Sequence, residues 1–197
     1  MATEGACTVW ARSGSSLELL RHAVALRRHV LRTAAPGHST LDAQRMLADQ
    51  LYALGAVWYC HPSKEVTEAE ACLREALALC EGLEDAFLTG KTLSLVINLC
   101  GEAHAMVGPA EAETFRVRLN QLLVQMCREP ETSCSICLEP LAPSADGAAE
   151  DAAGLGGTGP SDSCVRVLEC YHQLHYGCSM SWRNTASNWQ ECPLCRM

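Results

Sequence analysis

Eight cysteine and histidine residues in the C-terminal third of the chain constrain its fold more than any other feature. Two outer cysteine pairs, each with two residues between its members, enclose a middle group of two cysteines and two histidines. The eight residues are Cys134, Cys137, Cys170, His172, His175, Cys178, Cys192 and Cys195. Cysteines paired at this spacing can place both thiolates on one tetrahedral zinc ion across a tight turn. Eight ligands, taken four at a time, therefore predict two closed zinc sites with no position left for a catalytic water.

The middle ligands have spacings that predict their local structure. Cys170 and His172 are two residues apart, and such residues point to the same side of an extended strand. His175 and Cys178 are three residues apart, which would put them on one face of a helical turn. We therefore expect a strand at the first of these pairs and a helical turn at the second.

This order of ligands resembles the RING finger in its two-histidine variant. A finger of the plant-homeodomain type carries one histidine at the middle positions, so His172 together with His175 argues against that class. The resemblance implies an interleaved arrangement, in which the first and third ligand pairs share one zinc ion and the second and fourth pairs share the other. The implied sets are Cys134, Cys137, His175 and Cys178 for one ion, and Cys170, His172, Cys192 and Cys195 for the other.

The same resemblance implies a function. RING fingers commonly act as ubiquitin ligases, which dock a ubiquitin-conjugating enzyme and favour ubiquitin transfer to a substrate lysine without binding ubiquitin covalently. Residues at the family's contact positions are Ile136, Trp182, Pro193 and Arg196. Ile136 would be an apolar anchor, and Arg196 would touch the bound ubiquitin. Leu168 and Leu174 match the positions of the finger's small core.

A second hypothesis is a non-catalytic scaffold, in which the finger and the rest of the chain both serve assembly. Two departures from the RING pattern bear on this choice. Arg183 stands where an aliphatic residue is common, and Glu191 precedes the seventh ligand in place of a small hydroxyl residue. A pure scaffold has no physical need for Ile136, Trp182 and Arg196 together, so the sequence favours the ligase.

The charge and hydropathy of the chain restrict its partners. The formal net charge is −8 at pH 7, and it would fall to about −10 with two zinc ions on six thiolates. This balance does not suit nucleic-acid binding, which depends on neutralising phosphates. No apolar run reaches the roughly 18 residues that a membrane span requires. We therefore expect neither a nucleic-acid partner nor a membrane span.

Seven cysteines remain besides the six cysteine ligands. They are Cys7, Cys60, Cys72, Cys80, Cys100, Cys127 and Cys164. They are scattered, odd in number and mostly within helical patterns, and no apolar secretory leader precedes them. We therefore expect buried thiols in a reducing compartment and a cytoplasmic or nuclear protein. Cys164 is the one spare thiol that could compete for metal.

Helical periodicity predicts an all-α domain of five helices before the finger. The predicted helices run over 15–33, from Ser39 or Thr40 to near His61, from a Thr67-x-x-Glu70 capping box, over 86–107, and from Pro109 to before Pro130. The overall prediction is an α-rich protein with a flexible terminus at 1–14, a helical domain at 15–129 and a finger at 130–197. A disordered insertion at 142–163, without lysine or arginine, lies inside the finger.

The first predicted helix has two apolar strips, which together predict a wide buried arc. The strips are Leu17, Leu20, Val24 and Leu31, and Leu19, Leu26 and Val30. Arginines lie on the remaining face, namely Arg21, Arg28 and Arg32. This face indicates a solvated basic surface of a helical bundle, and the alternative is a mitochondrial targeting helix.

Part of the helical domain resembles a tetratricopeptide helix pair. The matching residues are Leu54, Gly55 and Trp58 in one helix, followed by Ala69, Leu73 and Ala76 in the next. The proline that ends such a pair is missing. A second, weaker match to the Leu54-Gly55 motif begins at Cys100 and would give a period of 46 residues. If the protein is a ligase, we expect the helical domain to recruit the substrate or a larger assembly.

Overall fold

The computed structural model describes residues 14–33, 39–60, 65–99, 107–141, 164–185 and 192–195. In these residues it contains α1 (Gly14–Thr33), α2 (Ser39–Cys60), α3 (Val66–Gly82), α4 (Ala86–Leu99), α5 (Pro109–Gln125), β1 (Val165–Val167), β2 (Gln173–His175) and α6 (Tyr176–Thr185). The prediction of an α-rich fold with a C-terminal zinc-ligand module is confirmed. Within the described residues, no helix is long and apolar enough to cross a membrane. The predicted insertion at 142–163 and residues 1–13 lie outside the described residues.

The first five helices pack in chain order, each against its neighbour in sequence. One continuous core runs through them, and its largest fully buried side chains include leucines from four helices. These are Leu51, Leu73, Leu93 and Leu119. The five-helix domain therefore forms by burial of the apolar faces that the sequence pattern predicts.

A glycine sets the close approach of α2 to α3. A Cβ atom at Gly55 would lie 2.7 Å from Cγ of Leu73 and 3.2 Å from the carbonyl oxygen of Ala69. Trp58, one turn further along α2, is buried in the same core. The helix pair on which the tetratricopeptide resemblance rests is therefore present, whereas the repeat itself stays a prediction.

The predicted capping box at the start of α3 is wrong. The helix begins one residue before Thr67, and its N-cap, Glu65, makes no side-chain capping hydrogen bond. Glu70 instead turns inward, where it is buried and accepts a hydrogen bond from Nε of Arg74 at 2.8 Å. Tertiary burial of a carboxylate beside an arginine thus replaces the local pairing that the sequence pattern suggested.

The wide buried arc predicted for α1 is also wrong. Val24 is only 2% exposed, but Leu19 is 70% and Leu26 is 65% exposed. Among the described helices, α1 is in close backbone contact only with α2. One narrow apolar strip of α1 is therefore enough to cover this contact. The basic face is partly used within the protein, since the guanidinium group of Arg21 lies 4.6 Å from the ring centre of Trp58.

The expectation of buried spare thiols is correct for some cysteines and wrong for another. Cys72, Cys80 and Cys164 are buried, Cys60 is half-buried, and Cys127 is exposed just beyond α5. Burial raises the pKa of Cys72 to about 11 and that of Cys80 to about 11, which keeps both thiols protonated and unreactive near neutral pH. Cys7 and Cys100 lie outside the described residues.

The zinc-ligand module packs directly on the helical domain. Strand β1 contacts α4, and Val167 and Tyr171 belong to the same buried cluster as the leucines of the helices. A second, smaller cluster lies within the module itself and includes Cys134, Leu141 and Leu174. The module thus has a small core of its own and also shares in the main one.

Candidate metal centre

The first ligand pair lies on a tight turn closed by backbone hydrogen bonds. The Leu138 N–H group donates to the carbonyl oxygen of Cys134 at 2.7 Å, and the Cys134 N–H group donates to the carbonyl oxygen of Glu139 at 2.9 Å. Leu138 has a φ of 66°, a left-handed conformation that reverses the chain after Cys137. This turn holds the sulfur atoms of Cys134 and Cys137 close together.

The second ligand pair lies in the turn of the β1–β2 hairpin. Cys170 and His172 flank Tyr171, whose φ is 68°, and the Leu168 N–H group donates to the carbonyl oxygen of His172 at 2.9 Å. The prediction that Cys170 and His172 lie on an extended strand is therefore wrong. The left-handed residue between them, and not strand alternation, brings the two ligands together.

The third ligand pair spans the junction of β2 and α6. His175 is the last residue of β2, and Cys178 is the third residue of α6. The Tyr176 N–H group donates to the carbonyl oxygen of Cys164 at 2.8 Å, which ties this junction to the start of β1. The predicted helical turn is present only after His175, and the bend at the junction brings His175 and Cys178 to the same site.

The fold brings the eight predicted ligands into two sets of four. The sets are Cys134, Cys137, His175 and Cys178, and Cys170, His172, Cys192 and Cys195. Within each set the ligand atoms all lie within 4.8 Å of one another. Ligands bound tetrahedrally to zinc at about 2.0–2.3 Å lie somewhat closer together than this limit, so a small contraction would complete each site. The interleaved arrangement that the family resemblance implied is confirmed.

The hydrogen bonds of His175 identify the nitrogen that faces the metal position. Its Nε2 atom lies 3.0 Å from the carbonyl oxygen of Pro140, and a carbonyl oxygen can only accept. Nε2 therefore carries the hydrogen, and Nδ1 has a free lone pair. Nδ1 lies 3.2 Å from Sγ of Cys137, within its own ligand set. His175 is thus oriented, and held in the right tautomer, to bind zinc through Nδ1.

The thiol groups of both sets need a cation in order to ionise together. Burial raises the pKa of Cys170 to about 12 and that of Cys178 to about 12, and neighbouring cysteines of each set add to the increase. For Cys134, burial also acts to raise the pKa, but hydrogen bonds from backbone groups, including those of Cys137 and His175, lower it to about 7. A zinc ion in each set would compensate the thiolate charge.

The donor chemistry of the two sets fits zinc. Each set has three cysteine sulfurs and one imidazole nitrogen, which is a common composition of closed structural zinc sites. Sulfur-rich tetrahedral sites disfavour magnesium and calcium, which require oxygen ligands. The module therefore holds two structural zinc ions. Because all four positions of each ion are taken by protein ligands, neither site can activate water.

The comparison with protein families agrees with this geometry. Residues 134–195 match the model of the zinc finger, C3HC4 type (RING finger). This module, roughly a third of the chain, is therefore a RING finger. His175 occupies the fifth ligand position, where the C3HC4 order has a cysteine, so this is the two-histidine variant. The chain has no significant match among curated proteins or among solved structures.

The residues predicted to contact a partner occupy different environments. Ile136 lies within the first outer cysteine pair and is 38% exposed; Leu194, which is not among the predicted residues, lies within the last pair and is 47% exposed. Pro193, beside Leu194, and Trp182 on α6 are half-buried. Arg196 lies outside the described residues. Leu174 is fully buried in the finger's core and Leu168 packs against it, as predicted.

Sequence reasoning missed the residues that hold the finger against the helices. Asn98 of α4 hydrogen-bonds to the backbone of Val167, and Asn120 of α5 accepts a hydrogen bond from the side chain of Gln173 at 2.6 Å. Polar residues in helices usually indicate a solvated face, so the pattern carried no signal for these contacts. They become visible only when helix and hairpin are placed together.

Proposed function

We propose that this protein is a RING-type ubiquitin ligase, which docks a ubiquitin-conjugating enzyme that carries ubiquitin as a thioester. The amine of a substrate lysine attacks the thioester carbonyl, an isopeptide bond forms, and the thiol of the conjugating enzyme leaves. The ligase itself binds and orients its partners and forms no bond with ubiquitin. The helical domain would recruit the protein substrate or a larger assembly.

The observation that carries this proposal is the exposure of Ile136. It lies between Cys134, which is fully buried, and Cys137, so two metal ligands fix its backbone. Its side chain has no role in binding zinc, and 38% of its surface remains exposed. An apolar side chain displayed on so rigid a turn is suited to anchor a partner, because little conformational entropy is lost on binding. In the RING family this is the position that anchors the conjugating enzyme.

Three further residues would complete the docking surface. Trp182 and Pro193 are half-buried, so each can support the finger and still present apolar area. Arg196 follows the eighth ligand, and its guanidinium group would bridge the conjugating enzyme and ubiquitin. Such a bridge stabilises the closed, reactive arrangement more than simple docking. These roles come from the family resemblance and are part of the proposal.

The test is the discharge of ubiquitin from a charged conjugating enzyme to free lysine, with a panel of such enzymes. Ile136→Ala deletes an apolar anchor of about 2 kcal/mol, so discharge is expected to slow about 30-fold at subsaturating enzyme. Arg196→Ala is expected to slow discharge while binding of the uncharged enzyme stays nearly unchanged. Chelator should abolish the activity because the finger loses its structural zinc.

The matched control for Ile136→Ala is Val30→Ala. Val30 is a β-branched residue of similar exposure, 40%, on α1, and α1 has no close backbone contact with the finger's described elements β1, β2 and α6. It should leave discharge unchanged. Zinc content is measured for every variant, so that loss of metal is not mistaken for loss of docking. If Ile136→Ala and Arg196→Ala both discharge at the wild-type rate with zinc retained, the ligase proposal is wrong.

The proposal also requires that no cysteine of this chain carries ubiquitin. Cys127 is exposed and is the spare thiol to examine first, whereas Cys72, Cys80 and Cys164 are buried. A reducible ubiquitin adduct on Cys127, trapped under non-reducing conditions and lost in Cys127→Ser, would contradict the proposed mechanism.

The alternative function is a non-catalytic, zinc-stabilised assembly subunit. The observation that favours it is the exposed apolar surface on the helices, where Leu19 and Val124 are 70% and 60% exposed. A scaffold that uses such surfaces would assemble normally in Ile136→Ala and Arg196→Ala, and would stimulate no discharge of ubiquitin to free lysine with any conjugating enzyme. The two functions are therefore separated by the same discharge assay.

A further inference from the structure

Glu131 lies between α5 and the first zinc ligand, outside the RING finger as the family model defines it. Its carboxylate is directed at the second ligand pair. Oε2 accepts a hydrogen bond from the Gln173 N–H group at 2.7 Å. Oε1 lies 3.7 Å from Nε2 of His172. The Glu131 side chain is 22% exposed, so it is largely withdrawn from water.

The orientation of His172 determines which of its ring nitrogens faces Glu131. Nδ1 of His172 lies 3.1 Å from Sγ of Cys170 and 3.3 Å from Sγ of Cys192, so this nitrogen faces its ligand set. A neutral imidazole that offers the Nδ1 lone pair to a metal carries its hydrogen on Nε2. The hydrogen of His172 therefore lies on Nε2, the ring nitrogen that is 3.7 Å from Oε1 of Glu131. A contraction of less than about 1 Å would turn the 3.7 Å contact into a hydrogen bond.

We propose that Glu131 is a positioning residue of the second zinc site, holding His172 in its metal-binding tautomer and orientation. A carboxylate that accepts the outer N–H group of a zinc-bound histidine fixes the ring and makes it a stronger ligand. The first site lacks such a charged partner among the described residues, since His175 donates to the neutral carbonyl oxygen of Pro140. The two sites therefore differ, although their ligands are the same.

The helical domain holds the second ligand pair in place beside Glu131. Tyr171, between the two ligands, is buried in the main core, and the guanidinium group of Arg128 lies 5.3 Å from its ring centre. Arg128 also donates to the carbonyl oxygen of Cys170 at 3.3 Å. Gln173 is fully buried, with its amide donating to Asn120 of α5. The turn that carries Cys170 and His172 is thus held from outside the finger.

Glu131→Gln in the full chain tests this role. Glutamine has nearly the same shape and retains an oxygen that can accept the Gln173 N–H group, but it lacks the carboxylate charge that faces His172. Competition with a chromophoric chelator, starting from the fully zinc-loaded chain, measures the release of both ions. We expect one ion to be bound 10–100-fold more weakly and the other to be unchanged. The unchanged site serves as an internal reference.

The matched control is Glu129→Gln, which makes the same change of charge two residues away at an exposed position. It should release both zinc ions as the wild type does. Release curves of Glu131→Gln that superimpose on those of Glu129→Gln and the wild type would overturn the proposal.

A second measurement separates orientation of His172 from a general loss of packing. In the NMR spectrum of the zinc-loaded wild type, the Nε2–H proton of His172 should be visible and lie further downfield than that of His175, because its acceptor is charged. In Glu131→Gln the His172 signal should move upfield while the His175 signal stays. A wild-type His172 signal lost to rapid exchange with water would overturn the proposal, even if the variant failed to fold.

Discussion

The side-chain amide of Asn98 pairs with both backbone groups of Val167. Nδ2 of Asn98 donates to the carbonyl oxygen of Val167 at 2.8 Å, and the Val167 N–H group donates to Oδ1 of Asn98 at 2.7 Å. Val167 lies opposite Gln173 in the hairpin, so Asn98 occupies the other edge of β1 as a further strand would. The helical domain thus extends the two-stranded β1–β2 sheet by one hydrogen-bonded edge, and the two parts are joined by specific hydrogen bonds as well as by apolar contact.

Asn98→Ala should therefore destabilise the protein well beyond an ordinary surface substitution. Alanine leaves both backbone groups of Val167 without this partner, and a buried polar group without its hydrogen bond costs about 1–3 kcal/mol. Denaturant unfolding followed by circular dichroism measures the change. Gln121→Ala, which removes an exposed amide from α5, is the control and should stay within about 0.5 kcal/mol of the wild type. Equal stability of the two variants would contradict the role of Asn98.

Removal of zinc should lower the stability of the helical domain. Val167 and Tyr171 are part of its core. Tyr171 lies between the ligands Cys170 and His172, and Val167 ends the strand that leads to them. When the finger unfolds without metal, these side chains leave the core and the helices lose apolar contact. Thermal unfolding recorded at 222 nm, a wavelength at which helices dominate, should show a lower midpoint in chelator. Added zinc should restore it, and an unchanged midpoint would show that the two parts unfold independently.

Gly55→Ala should disrupt the packing of α2 on α3. The new Cβ atom would lie 2.7 Å from Cγ of Leu73, within a fully buried contact, so helix spacing or the leucine rotamer must change. Overpacking of this kind costs about 1–3 kcal/mol. Gly82→Ala is the control, because nothing lies within 4 Å of a Cβ atom there. It should be neutral or slightly stabilising, and a similar loss in both variants would contradict the steric explanation.

Asp85→Ala should remove a helix cap and an ion pair at the start of α4. Oδ1 of Asp85 accepts the Leu88 N–H group at 3.1 Å, and Oδ2 accepts Nη2 of Arg45 at 2.7 Å. The hydrogen bond from Leu88 and the charge of Arg45 hold the pKa of Asp85 below its usual value. Loss of such a cap costs about 1 kcal/mol at neutral pH. Unfolding of Asp85→Ala and of the exposed control Asp49→Ala measures this cost.

The lowered pKa of Asp85 also determines how this cost depends on pH. A carboxylate with a depressed pKa stabilises the fold above its unfolded pKa of about 3.9, and the contribution is lost as the pH falls through the lower folded pKa. The stability difference between wild type and Asp85→Ala should therefore be constant from about pH 7 to pH 5 and narrow only below about pH 4. A difference that shrinks between pH 7 and pH 6 would point to another titrating group.

The sequence by itself determined the zinc ligands and the five helices that the structure describes before the finger, and the RING resemblance implied how the ligands divide into two sets. Ligand chemistry explains this success, because only cysteine and histidine in these pairs can close two zinc sites, and each outer pair needs only a local turn. The helices followed from apolar periodicity, which reports burial wherever one face of a helix meets a core. The sequence likewise placed Ile136 on the first ligand turn, because it lies between Cys134 and Cys137.

Only the tertiary structure decided which periodic residues are buried and which residues make long-range contacts. Leu19 and Leu26 fit a helical period, yet they stay exposed because the described chain offers α1 one neighbouring helix, α2. Cys170 and His172 fit a strand period, yet a left-handed Tyr171 between them makes a turn. Asn98 and Glu131 carry no periodic signal at all, and each acts on a residue more than 40 positions away in sequence. Long-range contacts of this kind depend on how helices and hairpin pack in space, which periodicity along the chain does not contain.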